Sequence, residues 1–274
     1  VCNSLEVIFQ QLETSSILLT PHSITPLDSK CVNPDEINFL RSGLYNAGFL
    51  GLRRTSNTKQ FIDWFKDRLT YFSFNDYANE QLVSRGLFVD QLWLNLVPLY
   101  FEGSELCLHP GANFGHWNLF NKSLNKDSDG NITVNGEPLL FIHFSGWDIN
   151  NINTVSKYSP RDNESAPPLW VEVSKMYRQN LLTNGYEDFL NYPCAFSFFK
   201  NGEAVTLEMR SKYFYFITQE EEDSAKYPLF SDAMYFWINS KCDSSQKKNN
   251  SLEKISVFTR LTKLFQVNRQ KIND

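Results

Sequence analysis

Two apolar strands and an amphipathic helix follow one another near the start of the chain, and their order most constrains the fold. The run Ser16–Thr20, closed by Pro21, predicts a short buried strand. Tyr45–Leu52 predicts a second strand, and its two glycines indicate that a ligand or another backbone approaches closely. Asn57–Phe72 carries its apolar residues on one helical stripe. Because strands alternate with helices, residues 1–160 are expected to form an α/β domain.

A helix over residues 4–13 precedes the first strand. Asn3, with Glu6 three residues later, matches a capping box at its start. The residues expected to face the core are Leu5, Phe9 and Leu12.

Further elements follow the helix Asn57–Phe72. The pattern predicts a helix over Asp90–Pro98, a strand over Leu106–Leu108 and a hairpin around the turn Asn135-Gly136. In the hairpin, Asn131–Val134 pairs with Pro138–His143. Residues 161–274 are expected to form a smaller, mainly helical region, with a helix predicted over Trp170–Leu182 and a hairpin predicted about Asn201-Gly202.

Composition excludes several classes of protein. The net charge of −5 and the lack of a basic stripe argue against a nucleic-acid partner. Five scattered cysteines without a CxxC pair indicate incidental thiols of a reducing compartment. No apolar run is long enough to span a membrane, so we expect a cytoplasmic protein, or one loosely peripheral to the membrane. Aromatic residues make up 15% of the chain, which suits either a carbohydrate-handling surface or a large aromatic core.

The first residue, Val1, is not methionine, and the chain enters at once into what resembles the end of a strand. We therefore expect this chain to be a fragment of a longer protein.

His143 ends an apolar stretch and is followed by Ser145-Gly146. A neutral imidazole there is a good ligand for a divalent metal, and the glycine would let backbone N–H groups approach an anion. A histidine hydrogen-bonded within the core is the alternative.

Asp90 and Gln91 open a predicted helix, and Asn95 lies one turn beyond Gln91 on the same face. These side chains either bind ligand hydroxyl groups in a crevice, or Asp90 is a plain N-cap favoured by the helix dipole.

Asn46 lies among apolar and small residues and needs several hydrogen-bond partners if it is buried. It therefore ties down a loop or contacts a ligand. Trp117-Asn118 is either an aromatic platform with an adjacent amide or a core tryptophan at the end of a loop. No P-loop, GxGxxG, HExxH or GxSxG motif is present.

In their order, these motifs resemble the GT-A fold glycosyltransferases, especially glycosyltransferase family 8 and a related bacterial group. The matching runs are Asn46-Ala47-Gly48, Asp90-Gln91 with Leu94-Asn95, Trp117-Asn118, and His143-Phe144-Ser145-Gly146. The resemblance covers residues 1–160 and implies a mixed sheet flanked by helices, incomplete at its N-terminus. Each motif alone is weak, whereas four in sequence are more specific.

Two departures from the family pattern are clear. The Asp-x-Asp motif, which supplies two metal ligands, should lie just before Val1 and is absent, so the fragment is expected to be inactive. The family often has Lys-Pro-Trp after its His-Phe-x-Gly motif, whereas Trp147-Asp148 follows here. Lys157 is the nearest cation that could substitute, and a solvated loop lysine is the alternative.

The resemblance implies transfer of a sugar, such as a hexose, from a nucleotide-diphosphate donor to an unidentified acceptor hydroxyl, with retained configuration. His143 would be a ligand of Mn²⁺ or Mg²⁺, and Asp90 and Gln91 would be the catalytic residues. The implied substrate-binding residues are Asn46, Ala47, Gly48, Asn95, Trp117, Asn118, Ser145, Gly146 and Lys157. The alternative is a non-catalytic carbohydrate- or partner-binding protein that has kept a degenerate form of the fold.

Overall fold

The structure is a computed structural model that describes residues 1–27, 36–73, 75, 86–159, 166–206, 208–210, 213, 227 and 229–249. The chain divides into two compact units, Val1–Glu187 and Asp188–Asp274. The first unit combines helices with two small sheets, which confirms the predicted α/β class.

The described helices and strands are numbered separately in chain order. The helices are α1 (Glu6–Thr14), α2 (Glu36–Ser42), α3 (Ser56–Phe72), α4 (Val97–Tyr100), α5 (Pro168–Thr183), α6 (Tyr186–Leu190) and α7 (Asp232–Asn249). The strands are β1 (Ile17–Pro21), β2 (Tyr45–Leu52), β3 (Ser104–Leu106), β4 (Leu124–Lys126), β5 (Ile132–Val134) and β6 (Glu137–Pro138). Three 3₁₀ turns cover Gln91–Leu96, Leu119–Asn121 and Ala195–Ser197.

β1 is the central strand of the first sheet, whose order is β2-β1-β3. It pairs antiparallel with β2 and parallel with β3, so Leu19 lies opposite Leu50 on one side and Leu106 on the other. This mixed sheet agrees with the prediction. The third strand begins at Ser104 rather than Leu106, because its pairing with β1 starts opposite Ile17.

Alternate residues of β1 contribute to two different hydrophobic clusters. Ile17 and Leu19 pack with Phe61 of α3 and with Leu94, whereas Leu18 packs with α1. Successive side chains of a strand point to opposite faces, so β1 is buried from both sides. The helix predicted over residues 57–72 is confirmed as α3.

The predicted start and face of α1 are partly wrong. Asn3 Oδ1 accepts a hydrogen bond from Ser4 N, and Ser4 Oγ accepts one from Glu6 N, so no capping box forms. Ile8 is the buried residue, flanked by partly buried Leu5 and Leu12, while Phe9 is 60% exposed. Leu5, Ile8 and Leu12 share one face, and Phe9 lies about 100° away from Ile8 around the helix.

The predicted hairpin turn forms between β5 and β6. Asn135 and Gly136 both have positive φ angles, of 54° and 84°, as a two-residue type I′ turn requires. β6 ends at Pro138, and the chain then continues towards His143 with only one isolated bridge, between Phe114 and Ile142. β4, which the pattern did not predict, completes this second sheet.

Helix α5 confirms the prediction over Trp170–Leu182. Trp170 is buried with Phe114, Val134 and Leu139, which places α5 in the first unit although it follows the predicted boundary near residue 160.

The second unit has its own small core of Phe199, Met234, Trp237 and Ile238. A turn forms at the predicted Asn201-Gly202, where Gly202 has φ of 86°. In the part of the chain that the structure describes, no helix has the length and apolarity needed to cross a membrane.

Candidate functional site around Asn46 and His143

The side-chain amide of Asn46 joins four segments of the first unit. Its Oδ1 accepts hydrogen bonds from Gly48 N at 2.9 Å and from Asn113 Nδ2 at 3.0 Å, and lies 3.1 Å from His143 Nδ1. Its Nδ2 lies 3.1 Å from His22 Nε2. Asn46 is buried, so these contacts satisfy polar atoms that would otherwise lack partners.

These contacts assign the tautomers of both imidazoles. The backbone N–H of Gly48 can only donate, so the atom that it faces is the amide oxygen of Asn46. An amide oxygen only accepts, and His143 therefore carries its proton on Nδ1. His143 Nε2 is left with a free lone pair and has no hydrogen-bond partner among the described residues. By the same logic His22 Nε2 accepts from Asn46 Nδ2.

Gly48 allows the imidazole ring of His143 to approach β2. A Cβ atom at this position would overlap Nδ1 and Cε1 of His143. The sequence predicted that a ligand or another backbone approaches the glycines of β2, whereas at Gly48 the group that approaches is the side-chain ring of His143. At Gly51 this group is the side chain of Leu18.

Asn113 is the main residue that the sequence analysis missed. It is 2% exposed, its backbone has φ of 48°, and its Nδ2 also donates to Thr20 Oγ1 at 2.7 Å. Asparagine tolerates this left-handed conformation better than most residues. The sequence feature that could have indicated a role for Asn113 is its position as a polar residue between Gly111 and Gly115, in an otherwise apolar stretch.

Three histidines surround the indole of Trp117. Ring centroids of His22, His116 and His143 lie 5.6, 5.2 and 5.3 Å from it, each with edge-on geometry. Trp117 is buried, which agrees with the core interpretation rather than with an open platform. Asn118 is buried beside it, and its Oδ1 accepts from Gly115 N.

Burial lowers the pKa of these imidazoles. It lowers the pKa of His22 and of His116 to about 4, and that of His143 in the same direction. Backbone carbonyls of Gly43 and Leu44 oppose the shift at His22, whereas the other histidines add to the shift at His116. These rings are therefore neutral at pH 7.

The side-chain amides of Gln91 and Asn95 hydrogen-bond backbone groups in β2 or just before it. Gln91 Oε1 accepts from Ala47 N at 3.1 Å, and Gln91 Nε2 donates to Ser42 O at 2.9 Å. Asn95 Oδ1 accepts from Leu44 N at 2.8 Å. These amides fix the entry into β2 and thereby the position of Asn46.

Asp90 precedes a 3₁₀ turn instead of the predicted α-helix, and its side chain makes no capping hydrogen bond. Asp90 thus occupies the N-cap position of this turn without bonding its free N–H groups.

The loop after His143 packs on a second loop. Gly146 has φ of 67°, and a Cβ there would meet the Tyr158 ring and Ser156 Oγ. The space on the Cβ side of Gly146 is thus occupied by protein, and the predicted approach of an anion to the backbone N–H groups stays a prediction. Ser156 Oγ donates to Ser145 O at 2.7 Å. Lys157 N donates to Gly146 O at 2.9 Å, and Lys157 Nζ lies 5.0 Å from the ring of Tyr158.

A cleft of about 630 Å³ opens beside His143. Gly48 and His143 are the predicted site residues that line it. The rest of its wall comes from the first residues of the chain, from the segment 130–144 and from one face of α5. Groups of three or more His, Cys, Asp or Glu side chains able to hold a metal ion do not occur within the described ranges.

Comparisons with known proteins identify two relatives from Bacillus subtilis strain 168. YfnF is 28% identical over 178 residues, covering 64% of this chain and 54% of the relative. YfnD is 27% identical over 143 residues, covering 52% and 42%. Both carry the description "uncharacterized protein", and the chain spans about half the length of these curated relatives. No protein-family model and no solved structure matches the chain.

We predict that Gly48→Ala destabilises the protein because the added methyl group displaces the His143 ring. The free energy of unfolding should fall by about 1–3 kcal/mol in urea titrations, as for other overpacked cores. In a His143→Ala background the ring is absent, and the same substitution should cost less, because only the 2.7 Å approach of the added methyl group to Asn46 Oδ1 remains. Equal costs in the two backgrounds would refute the contact.

We also predict that stability falls as the pH drops from about 6.5 to about 4. The unfolded imidazoles of His22 and His116 gain protons before the folded ones do, since their folded pKa values are about 4. Near pH 5 each ring should lower the free energy of unfolding by about 2 kcal/mol relative to pH 7.5. Urea titrations at both pH values measure this, and His22→Gln should remove the share of one ring, about 2 kcal/mol. A flat profile with the wild-type protein would contradict the assignment.

Proposed function

We propose that the protein containing this chain transfers a sugar from a nucleotide-diphosphate donor to an acceptor hydroxyl, with retention of configuration. The observation that carries the proposal is the free Nε2 lone pair of His143 at the wall of a ligand-sized cleft. The order of the Asn46, Asp90 and His143 motifs supports it. The two relatives have no described activity and support neither this proposal nor another.

A divalent metal fits the proposal only in part. A neutral imidazole can be one ligand of Mn²⁺, whereas Mg²⁺ prefers oxygen ligands, and the described residues hold no complete ligand set. The remaining ligands would come from donor phosphates and from other parts of the full-length protein. A bound metal would neutralise charge on the leaving diphosphate. The steps assigned below depend only on residues of this chain.

The side chains have distinct roles in the proposal. Asn46 holds His143 with Nε2 unprotonated, and Gln91 positions the strand that carries Asn46. The carboxylate of Asp90 makes no capping bond and would bind hydroxyl groups of a sugar, although Asp90 does not line the cleft. Lys157, whose backbone N–H bonds Gly146 O in the loop after His143, would meet the donor phosphates. No nucleophile is assigned.

We predict that His143→Ala in the full-length protein lowers nucleotide-sugar turnover at least 100-fold and abolishes its dependence on Mn²⁺. Release of nucleoside diphosphate from a panel of nucleotide sugars measures the activity. His109→Ala is the matched control, because this histidine bonds only its own loop at Gly111 N and does not line the cleft. Its activity should stay within about twofold of the wild type.

Undiminished, metal-dependent turnover by His143→Ala would refute the ligand role. If wild-type protein turns over no donor of the panel, the transferase proposal fails, and the alternative of a non-catalytic carbohydrate- or partner-binding protein is favoured.

A further inference from the structure

One face of α5 forms part of the wall of the cleft that His143 also lines. Glu172, Met176, Tyr177 and Asn180 of this face line the cleft together with His143. These four α5 residues recur at helical spacing, so they project from one side of the helix. Met176 is 60% exposed and Tyr177 is 36% exposed, so two large apolar side chains meet solvent there.

Aromatic contacts anchor Tyr177 at this wall, including a tilted contact with Trp147 at 5.4 Å between ring centroids. The Phe144 ring lies parallel to Tyr177, with centroids 4.5 Å apart and planes 2° apart. Phe144 in turn packs on Trp170, at 5.3 Å between centroids. Since Trp170 is fully buried, the outermost ring, that of Tyr177, rests on a rigid support. An exposed aromatic ring held in this way is pre-organised for stacking and loses little conformational entropy on binding a ligand.

The charges of the cleft favour a neutral ligand. Among the described residues that line it, none is a lysine or arginine, and the carboxylate of Glu172 bonds Lys126 at 2.8 Å. These lining residues offer a phosphate group no lysine or arginine side chain, whereas a neutral sugar needs none. The other polar groups include the amides of Asn131 and Asn180, which can both donate to and accept from hydroxyl groups.

From these observations we infer that the α5 wall is a sugar-binding subsite, in which a pyranose ring stacks on Tyr177 and its hydroxyl groups bond Asn180 and Asn131. The cleft volume of about 630 Å³ accommodates more than one sugar ring. This inference rests on the proposed function and deepens it. The subsite would hold an uncharged sugar of the acceptor or donor within reach of His143, while the donor phosphates lie next to His143 and outside the α5 wall.

The test measures binding directly, without turnover. Saturation-transfer difference NMR of the full-length protein, with EDTA present, uses the methyl glycosides of glucose, galactose, mannose and N-acetylglucosamine as probes. At least one should bind with a Kd in the millimolar range. Tyr177→Ala should weaken its binding at least tenfold, whereas Tyr177→Phe keeps the ring and should stay within threefold. Asn180→Ala should weaken it about three- to fivefold.

Three results would overturn the subsite. These are no binding of any glycoside, binding unaffected by Tyr177→Ala, or preferential binding of uridine or adenosine to the Tyr177 ring. Circular dichroism of each variant shows whether it is folded, and Tyr177→Phe provides a folded comparison at the same position. The proposed transferase activity is judged separately, since donor turnover can persist when glycosides do not bind, and glycosides can bind when no donor is turned over.

Discussion

The side-chain amide of Asn46 is the interaction on which the arrangement around His143 depends. One oxygen accepts from Gly48, Asn113 and His143, and the amide nitrogen donates to His22. His22, Asn113 and His143 come from segments far apart in sequence, and His22 and Asn113 are buried, as is Asn46. Loss of the amide would leave several buried donors and acceptors unpaired, each at a cost of about 1–3 kcal/mol. These hydrogen bonds of the Asn46 side chain, called the Asn46 hub, thus couple the fold of the first unit to the tautomer of the His143 imidazole.

Local patterns predicted much of this fold. The period and length of the apolar runs were sufficient to predict β1, β2, α3 and α5. The turn at Asn135-Gly136 could be predicted because both residues tolerate positive φ angles. The sequence also singled out Asn46, Gly48 and His143, because polar or glycine residues interrupt apolar runs there. It could not predict that the three meet, since their contacts span up to 97 positions in sequence. Asn113 was missed for the same reason, as its hydrogen bonds are all long-range.

Gln91 and Gly146 show why motif residues need a structure before roles are assigned. Both lie in runs that resemble a catalytic motif, yet Gln91 bonds two backbone groups and Gly146 is packed against Tyr158. A polar side chain at the end of an apolar element can hold the backbone or a ligand, and sequence alone does not separate the two. The position of the cleft adds this information, because both His143 and the α5 face around Tyr177 line it whereas Gln91 and Gly146 do not.

The most direct test of the Asn46 hub is the protonation state of His143 itself. The protein has four histidines, so ¹H–¹⁵N multiple-bond correlation spectra of the imidazoles can be assigned by single substitutions. At pH 7.5 we expect His143 to carry its proton on Nδ1 and to have an unprotonated Nε2. Asn46→Leu should remove this preference for one tautomer. A His143 protonated on Nε2 in the wild-type protein would contradict it.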